Sequence, residues 1–249
     1  MKTTHFVYLI SFILLFSSCK VHETKGNKQA SEPDVISKTF VEGGTHLTIN
    51  FAKGDYHNHP SFAVWVENMN GNLVRTLFVT NAVATGYYNH GDAGDGTWLT
   101  DPGPAHRPAA LPYWFHKREI IYPDQETVPN PKQPVPDAFT GATPKGSFAL
   151  KTATDLPDIY RVMVEVNQPW DWNTFWTNAK FPESSDYKTS AQPSVIYSVT
   201  VYSNDLMESY YLNPIGHGHY SGKDGKLYTD ISMLTTATNI FDSIILHIQ

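Results

Sequence analysis

Two histidine pairs have the spacing for metal chemistry. His57 and His59 fall in Asp55-Tyr56-His57-Asn58-His59, and His217 and His219 in Gly216-His217-Gly218-His219. Residues two apart on a strand face the same side, so either pair could chelate one ion. If the two segments met, four imidazoles without a thiolate would suit Cu, Zn or Ni, with His90 and His106 as spare donors. The second pair runs into Ser221-Gly222-Lys223-Asp224-Gly225, a flexible loop in which histidines are commonly just solvated, and both readings stand. A third segment is aromatic: Pro169-Trp170-Asp171-Trp172-Asn173, then Phe175 and Trp176. Indoles beside Asp and Asn can build a sugar platform. They also bury large areas when a long loop folds onto a sheet, and packing is the favoured reading. Glu165 and Asp171 are carboxylates that could pair in space. No G-x-S-x-G, H-E-x-x-H or G-x-x-x-x-G-K-[ST] pattern occurs, so hydrolysis has no positive support.

A further motif is Asp137-Ala138-Phe139-Thr140-Gly141-Ala142-Thr143, which fits D-x-x-[ST]-G-A-[ST]. It resembles the acceptor motif for covalent FMN in extracytoplasmic flavoproteins. The resemblance implies that a flavin transferase links FMN, drawn from FAD, to Thr143 by a phosphodiester bond. An acceptor that attacks phosphorus must carry a hydroxyl, and Gly141 and Ala142 leave room for enzyme and cofactor. Asp137 and Thr140 can brace the turn through side-chain to backbone bonds. The same residues also read as an ordinary tight turn feeding the strand at Phe148.

These segments must be positioned by strands. The chain has 249 residues, 41% of them apolar, 13% aromatic and only 17% charged, with 17 Pro and 16 Gly. That is enough apolar content for one core, in one large or two small domains. Thr45–Ala52, Ser61–Glu67, Leu73–Thr80, Phe148–Thr152, Ile159–Asn167, Val195–Ser203 and Ile240–Ile248 read as strands. Asn68-Met69-Asn70-Gly71-Asn72 is a hairpin signal. Leu111–Arg118 can form a short helix. The expected fold is all-β, an immunoglobulin-like two-sheet sandwich with long loops. Asn81–Pro112 and Pro169–Pro193 are long enough to be functional or wrapped on the core. The sequence leaves open whether residues from Val195 complete the sandwich or form a second subdomain.

The runs FAVWVENMNGNLVRTL, YWFHK, DAFTGATPKG and YRVMVEVN, in that order, resemble the bacterial predicted periplasmic family called domain of unknown function 2271. GNLVRTL is also similar to the immunoglobulin-like module of flagellar-hook-capping proteins. Both resemblances imply a β-sandwich, and the second allows a cofactor-free structural adaptor.

Lys2 followed by the apolar run Phe6–Phe16 reads as a signal peptide, too short to span a bilayer. Phe16-Ser17-Ser18-Cys19 resembles a lipobox, which implies acylation of Cys19 and insertion into membrane lipid. Residues 1–18 would be the signal, 19–36 a polar tether and 37–249 the domain. Cys19 is the lone cysteine, so no intrachain disulfide or cysteine-cluster metal site can form. The expected location is extracytoplasmic, lipid-anchored, with the outer membrane favoured. No ATP or NAD(P)H supply exists there for nucleotide-dependent catalysis. A net charge of −6 without a basic run excludes a nucleic-acid role. The leading expectation is an FMN-bearing electron carrier whose partners are a flavin transferase and a membrane redox protein. The alternatives are a metal- or glycan-binding module and the adaptor.

Overall fold

The computed structural model describes residues 34–94, 97–123, 126–135 and 140–249. The expected signal peptide, Cys19, most of the tether and Asp137 lie outside these residues. Residues 33–249 form one compact unit.

The strands follow the side-chain alternation. In β2 (Thr45–Lys53), Leu47, Ile49 and Phe51 are buried, while His46, Thr48 and Asn50 face the other way. The edge strand β1 (Asp34–Thr39) precedes it. The next strands are β3 (Ser61–Asn68) and β4 (Leu73–Thr80), and helix α1 (Asn81–Thr85) follows directly. Four short strands come next: β5 (Tyr87–Tyr88), β6 (Asp92–Gly94), β7 (Thr97–Trp98) and β8 (Gly103–Pro104). After helix α2 (Pro112–Lys117) come β9 (Thr140–Gly141), β10 (Phe148–Thr154) and β11 (Ile159–Asn167). The chain closes with β12 (Val195–Tyr202), β13 (Tyr210–Tyr211), β14 (Asn213–His217) and β15 (Phe241–Ile248).

Two sheets pack face to face. One is five-stranded in the order β1-β10-β2-β15-β13, the other six-stranded in the order β14-β12-β11-β3-β4-β9. Most pairs are antiparallel, but β1 runs parallel to β10 and β9 parallel to β4. Phe51, Phe62, Phe148 and Phe241 meet between the sheets, with Phe51 stacked on Phe148 at 4.4 Å. β12 joins one sheet and β15 the other, so the residues from Val195 onward complete the sandwich.

The continuous apolar run of β3 has a physical cause. Phe62, Val64 and Val66 face the sandwich core. Ala63 and Trp65 face a second cluster with Trp114 and Phe115 of α2, Met163 of β11 and Ile196 of β12. A strand covered on both faces loses its polar alternation. The long segment after β4 therefore includes a layer that wraps the outer face of the six-stranded sheet.

The Asn-Gly hairpin forms as expected. Asn68 Oδ1 accepts the N–H groups of Asn70 and Asn72, both at 3.0 Å, and Gly71 takes φ +82°. The tether boundary is corrected. β1 begins at Asp34, and Asp34–Ile36 pair with Phe148–Leu150. The free edge of β10 supplies hydrogen-bond partners for a segment that composition alone marks as polar.

Candidate functional site

Among the described residues, the topology gathers the two histidine pairs, Thr140–Thr143 and the aromatic loop at one end of the sandwich. β2 ends and β15 begins there, with Lys53 opposite Phe241, and β10 begins beside them, with Phe148 opposite Phe51. In the other sheet Ser61 opposes Asn167, Val166 opposes Val195, Val195 opposes His217, and Thr80 lies beside Gly141. The β2–β3 connection joins the two sheets at this same end. It holds His57 and His59; the neighbouring connections hold Thr140–Thr143, the aromatic loop and His219. Hydrogen bonds tie them together. Thr143 Oγ1 donates to the Pro60 carbonyl at 2.9 Å, and the Asn58 N–H donates to Gln168 Oε1 at 2.6 Å.

Thr140 and Gly141 make the short parallel strand on the free edge of β4. The Thr140 hydroxyl donates to Asn81 Oδ1 at 3.3 Å. A Cβ on Gly141 would lie 3.2 Å from the Phe78 ring, so glycine lets this edge seat closely. Ala142 is exposed, Thr143 is half-buried and Pro144 is buried. The half-buried Thr143 hydroxyl has its proton on the Pro60 carbonyl, and no described donor claims its lone pairs.

The histidine pairs do not assemble. Both lie at or beyond strand ends, so the same-face argument for strands fails. His57 is buried with its ring tilted against Phe241 and Nε2 unpartnered, and burial holds its pKa below the usual value. His59 is exposed, takes φ +53° and lies against Asn58 Oδ1. His217 Nδ1 meets the Gly218 carbonyl at 2.7 Å, and its ring stacks on Tyr228. His219 is buried. Its Nδ1 accepts the Ser221 N–H at 3.1 Å, which puts the ring proton on Nε2, and burial lowers its pKa. Among the described residues, no three His, Cys, Asp or Glu side chains are grouped to hold a metal ion.

The aromatic loop divides. Trp176 is 7% exposed and packs with Phe181, Tyr187 and Tyr220; Trp172 packs on Tyr187. Trp176 is core, and half-buried Trp172 packs against it. Trp170 is 43% exposed, takes φ +63° and meets Trp98 and His90 edge-on, both at 5.8 Å. Arg107 lies beneath, over Tyr88 at 4.1 Å and Trp98 at 4.2 Å. Asp171 accepts from the Thr236 hydroxyl, and burial raises its pKa.

Glu165 has its own setting. It is fully buried and accepts the Trp114 N–H at 2.7 Å, the Tyr113 N–H at 3.2 Å and the Ser194 hydroxyl at 2.5 Å. Burial pushes its pKa up to about 7. Nearby, Glu67 accepts from the Trp65 indole at 3.0 Å and pairs with Lys117 at 3.6 Å. These carboxylates pin α2 to the six-stranded sheet. The one sequence signal was an acidic residue inside an apolar strand, which demands buried donors.

Comparison with protein-family models, curated proteins and solved structures gives no match.

Proposed function

We propose that this protein carries FMN covalently on Thr143 and relays electrons outside the cytoplasm, anchored in a membrane through acylated Cys19. The observation that supports it is the partly exposed Thr-Gly-Ala-Thr segment at the edge of β4, with the Thr143 hydroxyl oriented by the Pro60 carbonyl. The donor chemistry fits the group: a half-buried hydroxyl preceded by two small residues, Gly141 and Ala142, just past the short edge strand β9. In the attachment step the Thr143 Oγ–phosphorus bond forms and the pyrophosphate bond of FAD breaks. Adenosine monophosphate leaves, and the hydroxyl proton passes to a base of the flavin transferase. FMN held there would supply a group that accepts and releases electrons, while this chain fixes its position.

The test is secretion of the full chain with a co-expressed flavin transferase, followed by denaturing-gel fluorescence and intact mass. A fluorescent band heavier by one FMN, lost in Thr143→Ala and kept in Thr143→Ser, is expected. Thr143→Ala removes one hydrogen bond, about 1 kcal/mol, and leaves the fold in place. A dark band in cells that label a known acceptor would overturn the assignment and favour the cofactor-free adaptor.

A further inference from the structure

Packing explains Trp172 and Trp176 but not Trp170. Its backbone is left-handed, φ +63°, a conformation that strains a bulky residue. The indole stays exposed, so burial does little to offset that strain. Its neighbours come from a different part of the chain, the long segment after β4. Trp98 on β7 and His90 lie edge-on to it, with centroids at 5.8 Å and interplanar angles of 74° and 65°. Two indoles near a right angle form a corner, and Trp170 is its open wall.

The corner is fixed before any ligand arrives. The buried Arg107 guanidinium packs on the Tyr88 and Trp98 rings, and one of its nitrogens reaches the His90 carbonyl at 3.5 Å. The Leu99 N–H donates to the Gly91 carbonyl at 2.8 Å and closes the β6–β7 hairpin. Asp92 stands directly opposite Trp98 in that hairpin, and directly opposed residues share a face. Two acceptors are on offer here. His90 Nδ1 lies 3.1 Å from the Leu99 carbonyl, which can only accept, so Nδ1 holds the proton and Nε2 is left as an acceptor. Asp92 is exposed. Its Oδ1 takes the Gly94 N–H at 2.8 Å, and its Oδ2 has no donor among the described residues. The Arg107 charge is buried against rings while the Asp92 charge is exposed, so the face that meets a ligand is acidic.

We propose that Trp170, Trp98, His90 and Asp92 form a binding site for a neutral hexopyranose residue of a glycan. A pyranose has C–H bonds across one face and hydroxyl donors around its rim. The C–H face lies on the Trp170 indole, and the hydroxyls donate to His90 Nε2 and the Asp92 carboxylate. An acidic sugar would bring like charge to Asp92 and is disfavoured. Thr143 is no part of this site, so the proposal stands independently of flavin attachment.

The test is calorimetric titration of the purified full-length protein, secreted without a flavin transferase, with cellotetraose, maltotetraose, mannotetraose and tetragalacturonate. Saturable binding of at least one neutral tetramer is expected, tighter than that of tetragalacturonate and indifferent to added salt. Trp170→Gly, which suits the left-handed backbone, should weaken it about ten-fold, the loss of one aromatic stack. Trp170→Phe keeps an aromatic face and should lose less. Phe175→Ala removes another exposed aromatic of the same loop and should leave the affinity unchanged. Absence of saturable binding by every neutral tetramer, equal or tighter binding of tetragalacturonate, unchanged affinity in Trp170→Gly, or equal weakening by Phe175→Ala would each overturn the proposal.

Discussion

Glu165 Oε2 accepts the Trp114 N–H at 2.7 Å, joining the middle of the six-stranded sheet to the first turn of α2. The carboxylate is sealed from water, and burial outweighs the three hydrogen bonds that favour its charge. Its folded pKa, about 7, stands above the ordinary value of 4.5. The folded state therefore holds the proton more tightly than the unfolded chain. This group's stabilising effect is full below the unfolded value and is lost as pH rises through 7, on the order of 3 kcal/mol in total. Buried His57 and His219 act oppositely, since their lowered values remove stability as pH falls. Urea titrations of wild type and Glu165→Gln between pH 5 and pH 8 separate the two. The variant should match wild type at the acid end and gain on it at the alkaline end. Parallel curves would disprove the assignment.

The two classes of tryptophan should respond differently. Trp176→Ala empties a site among Phe181, Tyr187 and Tyr220 and should cost about 3–5 kcal/mol. Trp170→Gly should cost under about 1 kcal/mol, because glycine takes the left-handed backbone without penalty and offsets lost surface contact. Denaturant midpoints measure both.

Gly71→Ala should destabilise by about 1 kcal/mol, since its φ of +82° suits only glycine and the new methyl meets Lys117 Nζ at 3.3 Å. Gly71→Asn, which tolerates that backbone better, should cost less. Thermal melts rank the pair.

Chelator dialysis should leave the melting temperature unchanged, and added zinc or copper should not raise it, because among the described residues no three His, Cys, Asp or Glu side chains are grouped to hold an ion. A ligand that bound the folded state would raise it. His219→Ala should destabilise through lost contact with Tyr220 and Tyr228, with or without metal present.

The strands that build both sheets were legible because each is long and either alternates, as Thr45–Lys53 does, or is apolar throughout, as Ser61–Asn68 is. β1, β9 and β13 were not. They are short or polar and exist because a longer strand offers a free edge. β14 carries Pro214 and Gly216, which speak against a strand, and it pairs with β12 across a bulge. The histidine pairs misled for a related reason: period-two reasoning applies within strands, and these residues lie where strands stop. Glu165 was visible as a lone acid in an apolar run. Its partners, Tyr113 and Trp114, stand about fifty positions away, and only tertiary packing brings them together.

β1 starts at the loop-bearing end, with Asp34 opposite Phe148. Asp34 therefore stands on the side that carries Thr143. Fifteen peptide units separate Cys19 from Asp34, a leash of at most about 50 Å when fully drawn out. An anchor at Cys19 would confine Thr143 to a shallow zone above the bilayer. If Thr143 carries FMN as proposed, that leash would keep the flavin within collision range of a membrane-embedded electron donor without any docking interface between them.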